Sequence, residues 1–348
     1  MIFGLLAIVS LDRHGDVPGL TLTSLLSAFP AVILVHELGH LAAGRLVGLR
    51  FSSIRVAFWT LRLEYGKLVL RARREAPGGF AGISLDRICR MRRRLFWFIA
   101  GGPIASILSV AIGVNDESIF HLHNDWAIGF LSAFVYLSLL ATLLSLVPMR
   151  KGMWSDGARL EMLTRSREQT RRWFSILGLG MQASKGVPPR LWNQNWICSA
   201  TRLQDRAEDE RSACWLAYLH ANDCKDADRA STYLERCLSL SALTRGAIND
   251  LMMFEASVFQ AWFRNDADKA SQWLSRIKAP SHLPKLIRLS GAAALACARK
   301  DFPAALAAWS EGATLIDQLP ETPTRRALQN GWSRWRSEIE ERQLSFGR

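Results

Sequence analysis

The chain has no two cysteines close enough to form a CxxC element. Its six, Cys89, Cys198, Cys214, Cys224, Cys237 and Cys297, are scattered. That spacing excludes a zinc ribbon, and five of the six fall in the C-terminal half, so they read as reduced packing residues rather than a disulfide framework. Charge of either sign is missing from three stretches: Val17 up to Arg45 with Glu37 the exception, Leu95 to Asn115, and Trp126 to Met149. Each can cross a hydrocarbon core of about 30 Å, which takes about 20 helical residues. Three such stretches in so short a segment argue against buried helices of a large soluble protein. Lysine and arginine are absent between Asn115 and Asp125, a segment carrying Asp116, Glu117 and Asp125. The opening MIFGLLAIVSL has no basic residue ahead of it and no small-residue cleavage site, so it reads as neither a signal peptide nor a span.

What is present is length and positive charge. At 348 residues the chain exceeds what one hydrophobic core usually organises, and its apolar residues concentrate in the first 150 or so, which predicts two domains. Arg50 to Arg94 holds twelve basic residues against three acids. Because Lys and Arg accumulate in short cytoplasmic loops, this loop and everything after Met149 are expected on the cytoplasmic side, with the acidic loop outside. The net charge of +13 suits a protein resting on an anionic leaflet, with Arg71 to Arg74 and Arg90 to Arg94 as contacts to membrane lipids. Nucleic acid would also suit that charge, but no recognition motif accompanies it, so no nucleic-acid partner is expected.

The chemistry begins at AVILVHELGHLAAG, where His36, Glu37 and His40 form HExxH on a strongly apolar helix. Residues four apart stack on one helical face, so the two imidazoles can share one metal while Glu37 reaches a bound water. HExxH fixes only three residues and is weak alone. Its setting sharpens it, since an ionisable cluster inside a span costs about 3 kcal/mol or more per charge and persists where it lines a polar cavity. The plainer alternative is a pair of interfacial histidines hydrogen-bonded to neighbouring helices.

Span three ends on the same side as HELGH, and SLVPMRKGMWSDGARL follows it, with Asp156 and Gly157 beyond Pro148. Here the sequence resembles the site-2 protease family of intramembrane zinc proteases, whose third ligand is an Asp in a DG motif after an NxxP turn. The stretch AGGPIAS, Ala100 to Ser106, looks like the small-residue motif on that family's middle helix. The resemblance covers roughly residues 18 to 160. It implies Zn²⁺ held by His36, His40 and Asp156, with Glu37 as the catalytic acid/base. It also implies a transmembrane protein or peptide as substrate, and a bacterial inner membrane as location. Two departures stand out: Ser145 replaces the Asn of NxxP, and the spacer from Pro148 to Asp156 is long. Asp156 could alternatively cap the helix that follows it. A catalytically inactive membrane scaffold of the same fold is the competing reading of the whole.

Between spans one and two, Leu61, Leu63 and Tyr65 alternate with charged residues, Gly66 and Lys67 interrupt, and Leu68, Leu70 and Ala72 resume, which predicts a β-hairpin. The family uses such an element to hold substrate extended, with Val56 and Phe58 expected along its edge. Beyond Leu160 the composition turns to amphipathic helix. KDADRASTYLERC at Lys225 recurs as NDADKASQWLSRI at Asn265, and as KDFPAALAAWSEG at Lys300. Helical hairpins at that period resemble tetratricopeptide repeats, a scaffold for a protein partner. The expected protein is mainly α: a polytopic membrane helix bundle of about three spans with a small β-hairpin over residues 1–163, a basic juxtamembrane linker over 164–199, and a cytoplasmic helical-repeat domain over 200–348.

Overall fold

The computed structural model describes residues 22–64, 67–72, 78–85, 89–115, 125–150, 154–241, 247–277, 280 and 283–346. The opening apolar segment, the hairpin tip at Tyr65 and Gly66, Arg73 and Arg74, and the acidic loop lie outside the described residues. The chain divides into two compact units, Met1–Thr170 and Arg171–Arg348.

The first unit is built on three helices long and apolar enough to cross a membrane: α1 (Leu22–Leu46), α2 (Met91–Asn115) and α3 (Asp125–Leu146). Many of their large apolar side chains point outward; Leu26, Leu34, Leu38, Ile104, Leu108, Ile112, Leu139 and Leu143 are all exposed. Small and polar residues, among them Ser24, Ala28, Glu37, His40, Ser106, Ser138 and Thr142, face inward. That inversion of the water-soluble pattern is consistent with a membrane protein, in which lipid rather than water meets the outer face. Helix α1 crosses α2 where Gly39 lies against the Gly101 backbone and Ala105; a Cβ on either glycine would collide with the other helix. The two backbones meet there without side chains between them.

Between α1 and α2 the chain forms β1 (Arg50–Val56), β2 (Trp59–Glu64), β3 (Lys67–Ala72) and β4 (Phe80–Ser84), an antiparallel sheet in the order β3-β2-β1-β4. The expected hairpin is present as β2 and β3, with Leu61 opposite Leu70 and Leu63 opposite Leu68. It is half of a four-stranded sheet. Val56 ends β1, an interior strand between β2 and β4, and pairs with Trp59 of β2 just beyond the last β1–β4 pair at Arg55; Phe58 lies in the turn before β2. The open edges belong to β3 and β4.

After α3 comes α4 (Asp156–Arg165). In the second unit, α5 (Arg167–Ser184) and α6 (Gln194–Thr201) precede three helical hairpins, α7 (Glu208–Asp223) with α8 (Ala227–Ser241), α9 (Ala247–Phe263) with α10 (Ala267–Ser275), and α11 (Lys285–Ala298) with α12 (Phe302–Asp317). Each hairpin turns the same way. Lys225, Asn265 and Lys300 take up left-handed backbone, with φ of 60°, 51° and 63°. The next residue, Asp226, Asp266 or Asp301, accepts the backbone N–H three positions on at 3.0, 2.9 or 3.1 Å, capping the second helix. Ala230, Ala270 and Ala305 are fully buried where the paired helices touch. A last helix, α13 (Pro323–Phe346), packs on α12. Of the cysteines, Cys214, Cys237 and Cys297 are buried and Cys89, Cys198 and Cys224 exposed, so only the first three pack as expected.

Candidate metal centre

His36, Glu37 and His40 lie on the buried side of α1, about two turns before its end. The helical spacing places the two imidazoles on one face, their rings 4.9 Å apart and nearly perpendicular. Asp156 arrives from the other end of the unit. Its Oδ2 lies 3.1 Å from His36 Nε2 and 3.5 Å from His40 Nε2. One donor atom from each residue falls within 4.8 Å of the others, and no second group of this kind occurs among the described residues.

How Asp156 reaches the site follows from Ser155. Ser155, not Asp156, is the N-cap of α4: its hydroxyl accepts the Ala158 N–H at 3.3 Å, leaving the Asp156 carboxylate to the histidines. The same hydroxyl donates to the Val147 carbonyl at 2.6 Å and accepts the Met149 N–H at 3.0 Å. The Ser155 N–H in turn donates to the Met149 carbonyl at 3.1 Å. Residues 149 and 155 are therefore tied together, and the long spacer closes on itself beside the end of α3 instead of displacing Asp156. Gly157 permits this, because any Cβ there would strike the Leu146 carbonyl. Ser145 takes no part; its hydroxyl donates to the Thr142 carbonyl of its own helix at 3.0 Å.

Outer partners orient the imidazoles. His40 Nδ1 lies 2.8 Å from the Phe98 carbonyl, and a carbonyl cannot donate, so Nδ1 carries the hydrogen and Nε2 presents a lone pair to Asp156. The Gly102 N–H also faces this nitrogen at 3.3 Å, but a protonated ring nitrogen cannot accept, and the shorter contact sets the tautomer. His36 Nδ1 meets the Ser106 hydroxyl at 2.9 Å, which holds its ring with Nε2 towards Asp156. The Nε2 atoms of two imidazoles and one carboxylate converge on one point, each imidazole held from behind, a donor set that would fit zinc.

Two glycines keep the site open. A Cβ on Gly102 would collide with the Nε2 atoms of both histidines, and one on Gly79, just ahead of β4, would collide with the Glu37 carboxylate. The centre thus unites α1, α2, α4 and the approach to β4. The HExxH pattern pointed to His36, Glu37 and His40, and the resemblance pointed to Asp156. Ser106, Gly102, Gly79 and the Phe98 carbonyl were not anticipated as site residues, although Gly102 and Ser106 both fall within AGGPIAS, read for its packing alone. Set against family models, curated proteins and solved structures, the chain matches none.

Proposed function

We propose that this chain is an intramembrane zinc metalloprotease, related in design to the site-2 protease family, that hydrolyses peptide bonds of membrane-embedded substrates. The observation that carries the reading is the meeting of Asp156 with His36 and His40 at 3.1 and 3.5 Å across 120 and 116 residues of sequence, with Glu37 buried beside them. Zinc held by two neutral imidazoles and a carboxylate retains a position for water, lowers that water's pKa to about 7 and polarises a carbonyl. Glu37, adjacent to both ligands and facing the start of β4, accepts the proton of the attacking water and returns it to the departing amine. The Phe98 carbonyl holds His40 in the tautomer that keeps Nε2 unprotonated, and Ser106 holds the His36 ring with its Nε2 towards Asp156. The open edge of β4, next to Glu37, is where an extended substrate would pair through its backbone so that its carbonyl is presented.

On this reading the protein sits in a bacterial inner membrane with its second unit cytoplasmic, and the tetratricopeptide-like hairpins of that unit offer a surface to a protein partner. Ser145, turned back onto its own helix, favours one competing reading, an inactive scaffold of the same fold that works only through the hairpins. Zinc analysis of the detergent-purified protein separates the two. One zinc per chain, lost in both His36→Ala and Asp156→Ala, supports the protease. Glu37→Gln should keep the zinc while cleavage of an unfolded transmembrane peptide falls by about 10²-fold or more. Zinc-free wild type would sink the enzyme reading and leave the scaffold.

A further inference from the structure

The basic ends of α1 and α2 border a cavity of about 630 Å³ whose lining includes none of His36, Glu37, His40 and Asp156. Its lining is both apolar and basic: Leu46 and Val47 at the end of α1, Arg93 and Trp97 one turn apart on one face of α2, and Arg90 just before it. Arg94, almost wholly buried, fixes the frame by donating Nε to the Val47 carbonyl at 3.0 Å and an Nη to the Gly48 carbonyl at 2.5 Å. Arg90 and Arg93 are exposed, and among the described residues no acidic side chain lines the cavity or pairs with either arginine. Leu46 is 89% exposed and Trp97 45% exposed, at the level where two membrane-crossing helices end.

We propose that this cavity is a binding site for one anionic phospholipid, the phosphate held between Arg90 and Arg93 and the upper acyl chains lying along Leu46 and Trp97. Guanidinium groups recognise phosphate oxygens through paired N–H donors, a tryptophan at the end of a span sits at headgroup depth, and basic clefts between spans on one side of a membrane suit lipid headgroups. A soluble anion would use the arginines and leave Leu46 and Trp97 facing water; a neutral phospholipid would use the apolar wall and leave two guanidinium groups uncompensated. Only an anionic lipid matches both. The inference stands apart from the proposed protease activity, since none of its residues belongs to the metal centre.

Native mass spectrometry of the full chain released from detergent micelles tests it, with phosphatidylglycerol and phosphatidylcholine of identical acyl chains added in turn. One phosphatidylglycerol should remain bound at collision energies that strip phosphatidylcholine, and millimolar inorganic phosphate should not displace it. Retention should fall on the order of tenfold in R90Q/R93Q and not in R62Q/K67Q, which removes the same charge from the sheet. Leu46→Asp, which repels the phosphate without touching either arginine, should reproduce the loss. Equal retention of the two lipids, unchanged retention in R90Q/R93Q, or displacement by inorganic phosphate would each overturn the proposal.

Discussion

A methyl group at Gly102 would stand against the Nε2 atoms of both His36 and His40, the two atoms that face Asp156. Gly102→Val should therefore lower bound zinc at least about tenfold, the range seen when groups supporting metal ligands are disturbed. A helical circular-dichroism signal close to that of the wild type should accompany the loss, and equilibrium dialysis against zinc buffers measures it. At this scale the sequence was legible where chemistry is local. His36, Glu37 and His40 could be read because an i, i+4 spacing defines one helical face. Asp156 was within reach only by resemblance, since 116 residues part it from His40 and an Asp ahead of a Gly is as easily a cap. Ser106 was hidden for the same reason: it is 70 residues from His36, and a serine among small residues on an apolar helix signals packing.

Among elements, α1, α2 and α3 were visible in the sequence because a charge-free run of 20 residues has few alternatives. The β2–β3 hairpin was visible through its alternation. Strands β1 and β4 were not, because RFSSIRV and FAGIS do not alternate strictly and because their pairing joins residues some 30 apart. The misplaced edge follows from that gap: with β4 unseen, Val56 had looked peripheral. The closed spacer was equally illegible, being a property of Ser155 and Met149 meeting across six residues. Ser155→Ala should remove the cap of α4 and the tie to Met149 and Val147 together. The expected cost is about 1 kcal/mol of stability for the cap alone. Zinc affinity should fall by more than a control such as Thr164→Ala, whose hydroxyl bonds only within α4. Unchanged affinity in a competition titration would show that Asp156 is positioned by something else.

For the whole molecule, the repeated KD or ND signature foretold three hairpins with a shared turn, but not the helix that follows them. The second unit also contains a buried acid that makes stability depend on pH. Glu255 on α9 is half-buried, and its carboxyl accepts a hydrogen bond from Tyr218 at 3.2 Å. Burial raises its pKa from 4.5 to about 7, with the Tyr218 bond opposing. Unfolded, the group ionises near its ordinary value; folded, it keeps its proton to about 7. The folded state thus holds an extra proton between these values, so this contribution is complete below about pH 4.5 and is lost as pH rises towards 7, on the order of 2 kcal/mol. Glu255→Gln, which imitates the protonated form, should raise the midpoint of thermal unfolding at pH 8 by several degrees and change it little at pH 4.5. An equal effect at both values would contradict the account.

Helix α13 gives the hairpin array an unusual boundary. Arg334 pairs with Asp223 at 2.6 Å and Glu338 with Lys225 at 2.9 Å, both at the first hairpin's turn. Glu338 also accepts the Trp262 indole N–H at 3.1 Å at the end of α9, and Phe346 lies under Lys300 at the third turn. Stacked hairpins that touch only their neighbours can melt from one end, one unit at a time. Here a single helix is fastened to the first, second and third hairpins alike, so opening any one of them also breaks contacts that α13 makes, and their unfolding is expected to be coupled rather than sequential.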